Sequence, residues 1–108
     1  MRENPKLKNA VGLAMKAGKL KSGDFTVERQ LRAGRARLVL IDRAASANTR
    51  EKYEHLCRAC GGELLALPAL GEAIGKPGRM LAALDDENFI NMIRAAAMES
   101  AADPNLRG

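Results

Sequence analysis

Residues Gly23–Ile41 read GDFTVERQLRAGRARLVLI, and the change of pattern within this stretch decides the fold. In its first part, Val27 and Leu31 lie on one face of a helix that turns about 100° per residue, and Gly34 ends that helix. The four residues Leu38–Ile41 form an unbroken apolar run of strand length, which is typical of a strand buried on both faces. A helix followed directly by a buried strand predicts an α/β domain.

A first helix is predicted upstream of this stretch. Asn4 caps it, Pro5 suits its first position, and Gly18 stops it. Residues 19–21 (KLK) read as a basic connector, and residues 22–24 (SGD) offer caps for the second helix. The apolar residues of the first helix form one stripe at helical spacing: Leu7, Ala10, Val11, Ala14 and Met15.

Downstream, the alternation of helix and strand continues. A third helix begins at Ala47 or Asn48 and runs to Cys60, with Tyr53 on its apolar face. The remaining elements are strands at residues 64–67 and 80–84, a short helix at residues 70–75, and a last helix capped by Asp85 and Asp86 that carries Phe89, Ile90, Ile93 and Ala97. This order predicts βαβ units, a largely parallel sheet and helices on both faces of the sheet. We therefore expect a three-layer α/β/α sandwich.

Size and composition limit the class of protein. The chain has 108 residues, of which 46% are hydrophobic, enough for one domain with its own core. We expect that domain to span residues 4–98 and residues 99–108 to form a flexible C-terminal tail, because Asp103-Pro104 breaks the helical pattern. No apolar run approaches a membrane span, and the first residues lack the core of a signal peptide. We expect a soluble cytoplasmic protein with no membrane partner.

The positive charge is concentrated in the first third of the chain. Up to Arg37 there are ten basic residues against three acidic ones, whereas the rest has eight against ten. Solvation of helix faces is one explanation for such a surplus. The asymmetry favours a polyanionic partner that contacts the N-terminal third.

The second helix carries an aromatic residue among arginines. Phe25, Arg29 and Arg32 are spaced i, i+4 and i+7 and lie opposite the core-facing residues. Amides at a helix N-terminus attract anions, and an aromatic ring beside guanidinium groups is a combination that stacks an unpaired RNA base. The alternative is that Phe25 folds back as a hydrophobic staple against Leu20 or the first helix.

The sequence contains no convincing catalytic or metal-binding set. Cys57 and Cys60 have redox or metal-ligand spacing, but one histidine and two cysteines are too few for a zinc site, and the pair ends a helix on its apolar face. Core packing is the favoured explanation. Asp42 follows a strand at a place where α/β sheets put functional residues, yet it has no acid or base partner in sequence. We expect no enzymatic activity, no metal and no cofactor.

The order of motifs resembles the ribosomal L7Ae family of kink-turn RNA-binding proteins, and most closely its bacterial YlxQ-like branch. The shared features are AGKL at residues 17–20, Gly23 before a short helix, RAG and RARLVLI at residues 32–41, SANT at residues 46–49 with a cysteine in the following helix, and LGEAIGK at residues 70–76. The resemblance covers about residues 5–95. It implies an L7Ae/L30e-like α/β/α sandwich with a mixed central sheet and RNA binding without catalysis.

The resemblance also implies which residues contact RNA, and it exposes a departure. In the family, the helix after the glycine begins with Asn and Glu and carries a Lys three positions after the Glu. Here Gly23 and Arg29 match the glycine and the lysine, but Phe25 and Thr26 replace the pair that reads base edges. The apolar loop ahead of the LGEAIG motif, Leu67-Pro68-Ala69, corresponds to a second RNA-facing element. Kink-turn specificity is therefore an open question for this sequence.

The predicted function is that of a non-enzymatic RNA-binding protein in a ribosomal or translational setting. Its predicted partners are rRNA or another structured RNA and the ribosome or translation factors. The resemblance also implies that such a domain can follow a further nucleic-acid-binding domain, ahead of Pro5, in a longer polypeptide. The alternatives are a protein-interaction module that has lost RNA readout and a substrate-recognition domain for an RNA-modifying enzyme on another chain. The predicted RNA-contacting residues are Lys19, Lys21, Gly23, Asp24, Phe25, Thr26, Arg29, Arg32, Arg35, Leu67, Pro68 and Ala69.

Overall fold

A computed structural model describes residues 5–101, with side chains described as far as Met98. Within that range it contains five helices and four strands. The helices are α1 (Pro5–Lys16), α2 (Asp24–Arg32), α3 (Ala47–Cys60), α4 (Leu70–Ala73) and α5 (Glu87–Ala101). The strands are β1 (Leu20–Ser22), β2 (Leu38–Asp42), β3 (Glu63–Leu67) and β4 (Leu81–Leu84).

The four strands form one sheet in the order β1-β4-β2-β3. β2 and β3 are parallel, and β4 is antiparallel to both of its neighbours. Strands β1, β2 and β3 consequently run the same way and end at one side of the sheet, at Ser22, Asp42 and Leu67. We call this side the carboxyl edge, and we call the side where those strands begin the opposite edge.

The sheet separates two apolar cores, which makes the fold a three-layer α/β/α sandwich. Alternate residues of β2 face opposite sides, so that Leu38 and Leu40 pack against α1, α4 and α5, while Val39 and Ile41 pack against α2 and α3. Every residue of β2 is buried. The apolar run therefore behaves as its composition predicts, as a central strand covered on both faces.

The sheet is mixed, and the expectation from helix and strand alternation that it would be largely parallel is wrong. A parallel connection needs a crossover that carries the chain back across the sheet, and α4 has only four residues. The chain stays at the carboxyl edge after Leu67, so β4 begins there and runs in the opposite direction. The predicted connector at residues 19–21 overlaps a strand, β1, because Leu20 pairs with Leu84 and Ser22 pairs with Ala82.

The predicted helices are confirmed with small shifts at their ends. The stripe of α1 is buried at Leu7, Ala10, Val11 and Ala14, and Ser46 caps α3 by accepting a hydrogen bond from the Thr49 amide. α5 continues to Ala101, past the predicted start of the tail, and residues 102–108 lie outside the described range, as does the predicted cap Asn4. Among the described residues, no helix is long and apolar enough to span a membrane.

Asp42 holds the carboxyl edge together. Its side chain is only 7% exposed, and its two oxygens accept hydrogen bonds from the Ala44 amide at 2.8 Å and the Leu70 amide at 3.0 Å. One carboxylate at the end of the central strand thus fixes the turn that follows β2 and the start of α4. Its role is structural, since both oxygens are already occupied by the backbone.

Substituting Asp42 tests this role. In Asp42→Asn the new amide group meets a backbone N–H that needs an acceptor, so we expect the free energy of unfolding to fall by about 1 to 3 kcal/mol. Urea unfolding followed by circular dichroism measures the change. Asp85→Asn is the matched control, because Asp85 is exposed and pairs with Arg37, and we expect it to change stability by less than about 1 kcal/mol. Equal effects of the two substitutions would contradict the assignment.

Candidate nucleic-acid interface

The start of α2 lies at the carboxyl edge, directly after β1. Val27 donates the first helical hydrogen bond, to the Gly23 carbonyl at 2.9 Å. The amides of Asp24, Phe25 and Thr26 precede that bond and are the donors that a helix N-terminus leaves for other acceptors. No side chain caps this end of the helix, so the predicted caps at residues 22–24 are wrong in that respect.

Phe25 projects from α2 into solvent. Its side chain is 73% exposed, whereas Val27 and Leu31 on the other face of α2 are fully buried. The guanidinium carbon of Arg29 lies 5.5 Å from the centre of the Phe25 ring, in the geometry of a cation–π contact. The staple alternative is wrong, because a staple would bury the ring against Leu20 or α1. We call this contact the Phe25–Arg29 pair.

The carboxylate of Asp24 is held away from the pair by α3. The buried Tyr53 hydroxyl donates to the Asp24 carbonyl at 2.8 Å and also to the Asp24 carboxylate, and Lys52 Nζ lies 3.4 Å from the same carboxylate. Burial, and then the hydrogen bond to Asp24, raise the pKa of Tyr53 well above its ordinary value. The Asp24 side chain therefore joins α2 to α3, with its charge paired to Lys52, and the contact of the Asp24 amide with RNA stays a prediction.

The charge of the other acidic residue of α2, Glu28, is also balanced by ion pairs. Glu28 lies 2.9 Å from Lys52 and 2.9 Å from Arg32, and the hydrogen bonds from these two residues lower the pKa of Glu28. The hydrogen bond to Glu28 raises the pKa of Lys52 in return. Arg32 is thus engaged within α2, and its contact with phosphate stays a prediction. Arg29 forms no ion pair with any side chain in the described range.

Gly23 positions Arg79, a residue that the sequence reasoning missed. Gly23 has a φ of 104°, and a Cβ placed there would lie 2.5 Å from an Arg79 guanidinium nitrogen. That nitrogen donates to the Ser22 carbonyl at 3.2 Å. The Gly23 amide donates to the Leu81 carbonyl at 2.9 Å, so the prediction that this amide captures a phosphate is wrong. The glycine instead makes room for a cation beside α2.

The segment after α4 also brings exposed cationic and apolar groups to the carboxyl edge. Lys76, Arg79 and Met80 are exposed, and Lys76 and Arg79 form no ion pair with the described residues. The LGEAIGK motif directs the chain here, because Gly71 lies against the backbone of residues 76–78 and a Cβ at Gly71 would lie 2.8 Å from the Lys76 carbonyl oxygen. The LGEAIGK motif therefore fixes the position of the segment after α4, residues 76–80, as part of the candidate interface.

That preceding loop contributes less than predicted. Leu67 is 2% exposed and packs in the core with Leu70, so its side chain offers RNA no surface, and a contact at this position stays a prediction. Pro68 and Ala69 are half-buried. Ala69 adopts the left-handed conformation, with a φ of 55°, which is uncommon for a residue with a Cβ and is maintained here by the Asp42 bond to the next amide.

Three of the predicted basic residues do not join the carboxyl edge. Lys19, Lys21 and Arg35 line an open groove of about 440 Å³ that also contains Asp85 and Asp86. Lys19 lies 3.8 Å from Asp86, and the groove opens toward the opposite edge, where α2 ends and β2 begins. The predicted site thus divides into two surfaces on opposite edges of the sheet.

The described residues contain no group of three or more side chains suited to hold a metal ion. Both cysteines are free thiols; Cys57 is buried and Cys60 is half-buried, and both pack in the core between the sheet and α3. Burial raises the pKa of the Cys57 thiol to about 11. The favoured explanation of the C-x-x-C spacing, core packing, is confirmed.

Comparison with known proteins identifies the family. The model of the ribosomal protein L7Ae/L30e/S12e/Gadd45 family matches residues 5–93. The chain is 35% identical over 86 residues to the RNA-binding protein YlxQ of Bacillus subtilis (strain 168), a match that covers 77% of this chain and 86% of that protein. The chain belongs to the L7Ae family. Within this family it is also 33% identical over 88 residues to the Enterococcus faecium RNA-binding protein YlxQ, covering 75% and 82% of the two chains.

Solved structures agree with this L7Ae assignment. A Bacillus halodurans C protein described as having unknown function superposes with a TM-score of 0.79 at 26% identity, over 84% of this chain and 95% of that chain. The Giardia lamblia 15.5kD RNA binding protein superposes with a TM-score of 0.72 at 20% identity, over 91% and 87%. At that lower identity the second match shows the shared fold. The L7Ae-type sandwich with a mixed sheet is therefore confirmed.

The bond between Tyr53 and Asp24 predicts a change in stability with pH. Because burial raises the Tyr53 pKa, the folded protein keeps its proton where the tyrosine of the unfolded chain ionises, at about pH 10. The stabilisation is complete below that pH and declines as the pH rises above it. We expect Tyr53→Phe to be less stable at neutral pH by about 1 to 3 kcal/mol and the gap to narrow above about pH 10. Urea unfolding measures both values, and a gap independent of pH would contradict the assignment.

The two thiols are expected to differ in reactivity. At pH 8, Cys57 is almost entirely protonated and is buried, whereas Cys60 is partly accessible. We expect a thiol-specific reagent to modify one cysteine in the folded protein and both in urea. Cys60→Ser should abolish the rapid reaction, and the matched variant Cys57→Ser should retain it. Rapid modification of folded Cys60→Ser would contradict the prediction.

Proposed function

We propose that this protein binds structured RNA, without catalysis, through the carboxyl edge of its sheet. The observation that carries the proposal is the arrangement at the start of α2. The acidic residues of that helix are tied to Tyr53, Lys52 and Arg32. Arg29 and Phe25 are exposed beside the free helix amides, and Arg29 forms no ion pair with the described residues, so its charge is available to the phosphates of a nucleic acid.

Arg79 extends the cationic surface across the end of the sheet. It lies over Gly23 and is held by the Ser22 carbonyl, so that its charge is placed next to the N-terminus of α2. A hydrogen bond to a neutral carbonyl positions the guanidinium without cancelling its charge. Arg29 and Arg79 at this edge therefore form no ion pair with the described residues, and Lys76, from the same segment as Arg79, adds a further cation without one.

The family supports RNA as the polyanion. The YlxQ relatives are named as RNA-binding proteins, and we propose the same activity here, with rRNA or another structured RNA of the translation apparatus as the partner in the cytoplasm. Kink-turn readout of the family type is not part of this proposal, because Phe25 and Thr26 lack the amide and carboxylate that hydrogen-bond base edges. Phosphate and stacking contacts remain available.

A protein-interaction module is the second candidate function. The specific observation in its favour is the exposed Phe25–Arg29 pair, since aromatic and arginine side chains are enriched in protein interfaces. We rank it below RNA binding because Arg29 and Arg79 form no ion pair with the described residues, and cations of this kind suit a phosphate backbone better than an apolar protein face.

Removing the two guanidinium groups tests RNA binding. We expect Arg29→Ala and Arg79→Ala each to weaken binding of a structured rRNA fragment by about 1 kcal/mol or more, and to lower the slope of log affinity against log salt by about 1. Fluorescence anisotropy at several salt concentrations measures both quantities. The wild-type slope itself shows how many phosphates are contacted.

The matched control is Arg58→Ala, which removes the same charge from the exposed last turn of α3 at the opposite edge. Arg35→Ala reports on the groove at that edge. Equal losses in all four variants would show that net charge alone drives binding, and a wild-type affinity insensitive to salt would overturn the proposal.

A further inference from the structure

Phe25 is exposed although the chain has few aromatic side chains. The sequence contains two phenylalanines, and the other, Phe89, is half-buried against the core. An apolar ring left 73% in solvent forgoes the stabilisation that burial would give. The ring has no role in folding that the structure reveals, because Val27 and Leu31 make the contacts between α2 and the sheet.

The Phe25–Arg29 pair has the form of a stacking platform. Arg29 comes from the next turn of the same helix, so the helix itself fixes the guanidinium near the ring at 5.5 Å. The exposure of Phe25 leaves most of the ring surface available to another planar group. Every nucleobase has a flat face that stacks on an aromatic ring, whereas a base inside a duplex has both faces covered by its neighbours.

The surroundings of the platform match the charge of a nucleotide. The amides of Asp24 and Thr26 flank Phe25 on the first turn of α2, and the Asp24 carboxylate is hydrogen-bonded to Tyr53 and paired with Lys52. A base on the ring would therefore place its own phosphates near hydrogen-bond donors and cations.

We infer that the Phe25–Arg29 pair selects RNAs that present an unpaired base beside a duplex, by stacking and largely without regard to base identity. This inference rests on the proposed function and names the feature of the RNA that the site takes. Phe25 supplies the stacking surface, Arg29 completes the platform, and Arg79 contacts the flanking backbone. Selection by stacking follows because the Phe25 ring offers a base a flat apolar face and no hydrogen-bonding group, and the neighbouring Asp24 carboxylate is engaged by Tyr53 and Lys52.

The experiment compares two RNA hairpins that differ by a single unpaired adenosine in the stem. We expect wild-type protein to bind the hairpin with the unpaired adenosine about fivefold to a hundredfold more tightly, the range that stacking on one aromatic ring provides. Phe25→Ala and Phe25→Leu should lose this preference and keep the salt-dependent affinity for the fully paired hairpin. Phe25→Trp should retain it, and uridine should replace adenosine with little loss.

Tryptophan fluorescence detects a base stacked on the platform, and a purely structural role of Phe25 would not produce this signal. The chain has no tryptophan, so Phe25→Trp places a single indole at the platform. We expect its emission to be quenched by the hairpin with the unpaired adenosine and to change little with the same hairpin carrying an abasic site. Leu13→Trp is the matched control, because Leu13 is an exposed apolar residue on α1, and its emission should not distinguish the RNAs.

The possible results separate this inference from the proposed function. Equal binding of both hairpins by the wild type, or equal losses with both in Phe25→Ala, would overturn stacking selection while leaving RNA binding intact. Failure of the wild type to bind either hairpin or any structured rRNA fragment would overturn the proposed function. Retention of a protein partner that is lost in Phe25→Ala, without any RNA preference, would assign the pair to a protein interface and overturn the inference.

Discussion

β2 is buried on both faces along its whole length, and this constraint organises the rest of the molecule. A strand in that position needs helices above and below it, strands on both sides, and a polar residue at its end to hold the chain as it leaves the core. Asp42 is that residue. Its carboxylate accepts hydrogen bonds from two backbone amides and thereby fixes the loops of the carboxyl edge. The same edge receives the start of α2. The geometry of the candidate interface therefore depends on the packing of the central strand.

The pattern of the sequence predicts the elements better than it predicts how they pair. The stripes of α1 and α3 and the apolar run of β2 are strong local signals, and the structure confirms each of them. β1 was missed because three residues, LKS, carry no periodicity, and only pairing with β4 makes them a strand. The direction of β4 was also beyond local reasoning, since it depends on the chain staying at one edge after β3.

The candidate site shows the same division. Helical spacing placed Phe25 and Arg29 on the exposed face of α2, and the structure places them there in contact. Spacing could not reveal that Glu28 engages Arg32 and Lys52, or that Tyr53 on another helix holds Asp24. Arg79 lies 56 positions after Gly23 in the sequence, and only the folded chain brings the two residues together. A pattern in one helix identifies which side chains face out, and the tertiary structure determines which of their charges remain available.

The cations of the carboxyl edge have a kinetic consequence. Arg29 and Arg79 have no ion-pair partner in the described part of the chain, and the sequence as a whole has a net charge of +5. Long-range attraction between these charges and a polyanion would raise the rate of diffusional encounter, and added salt would lower that rate.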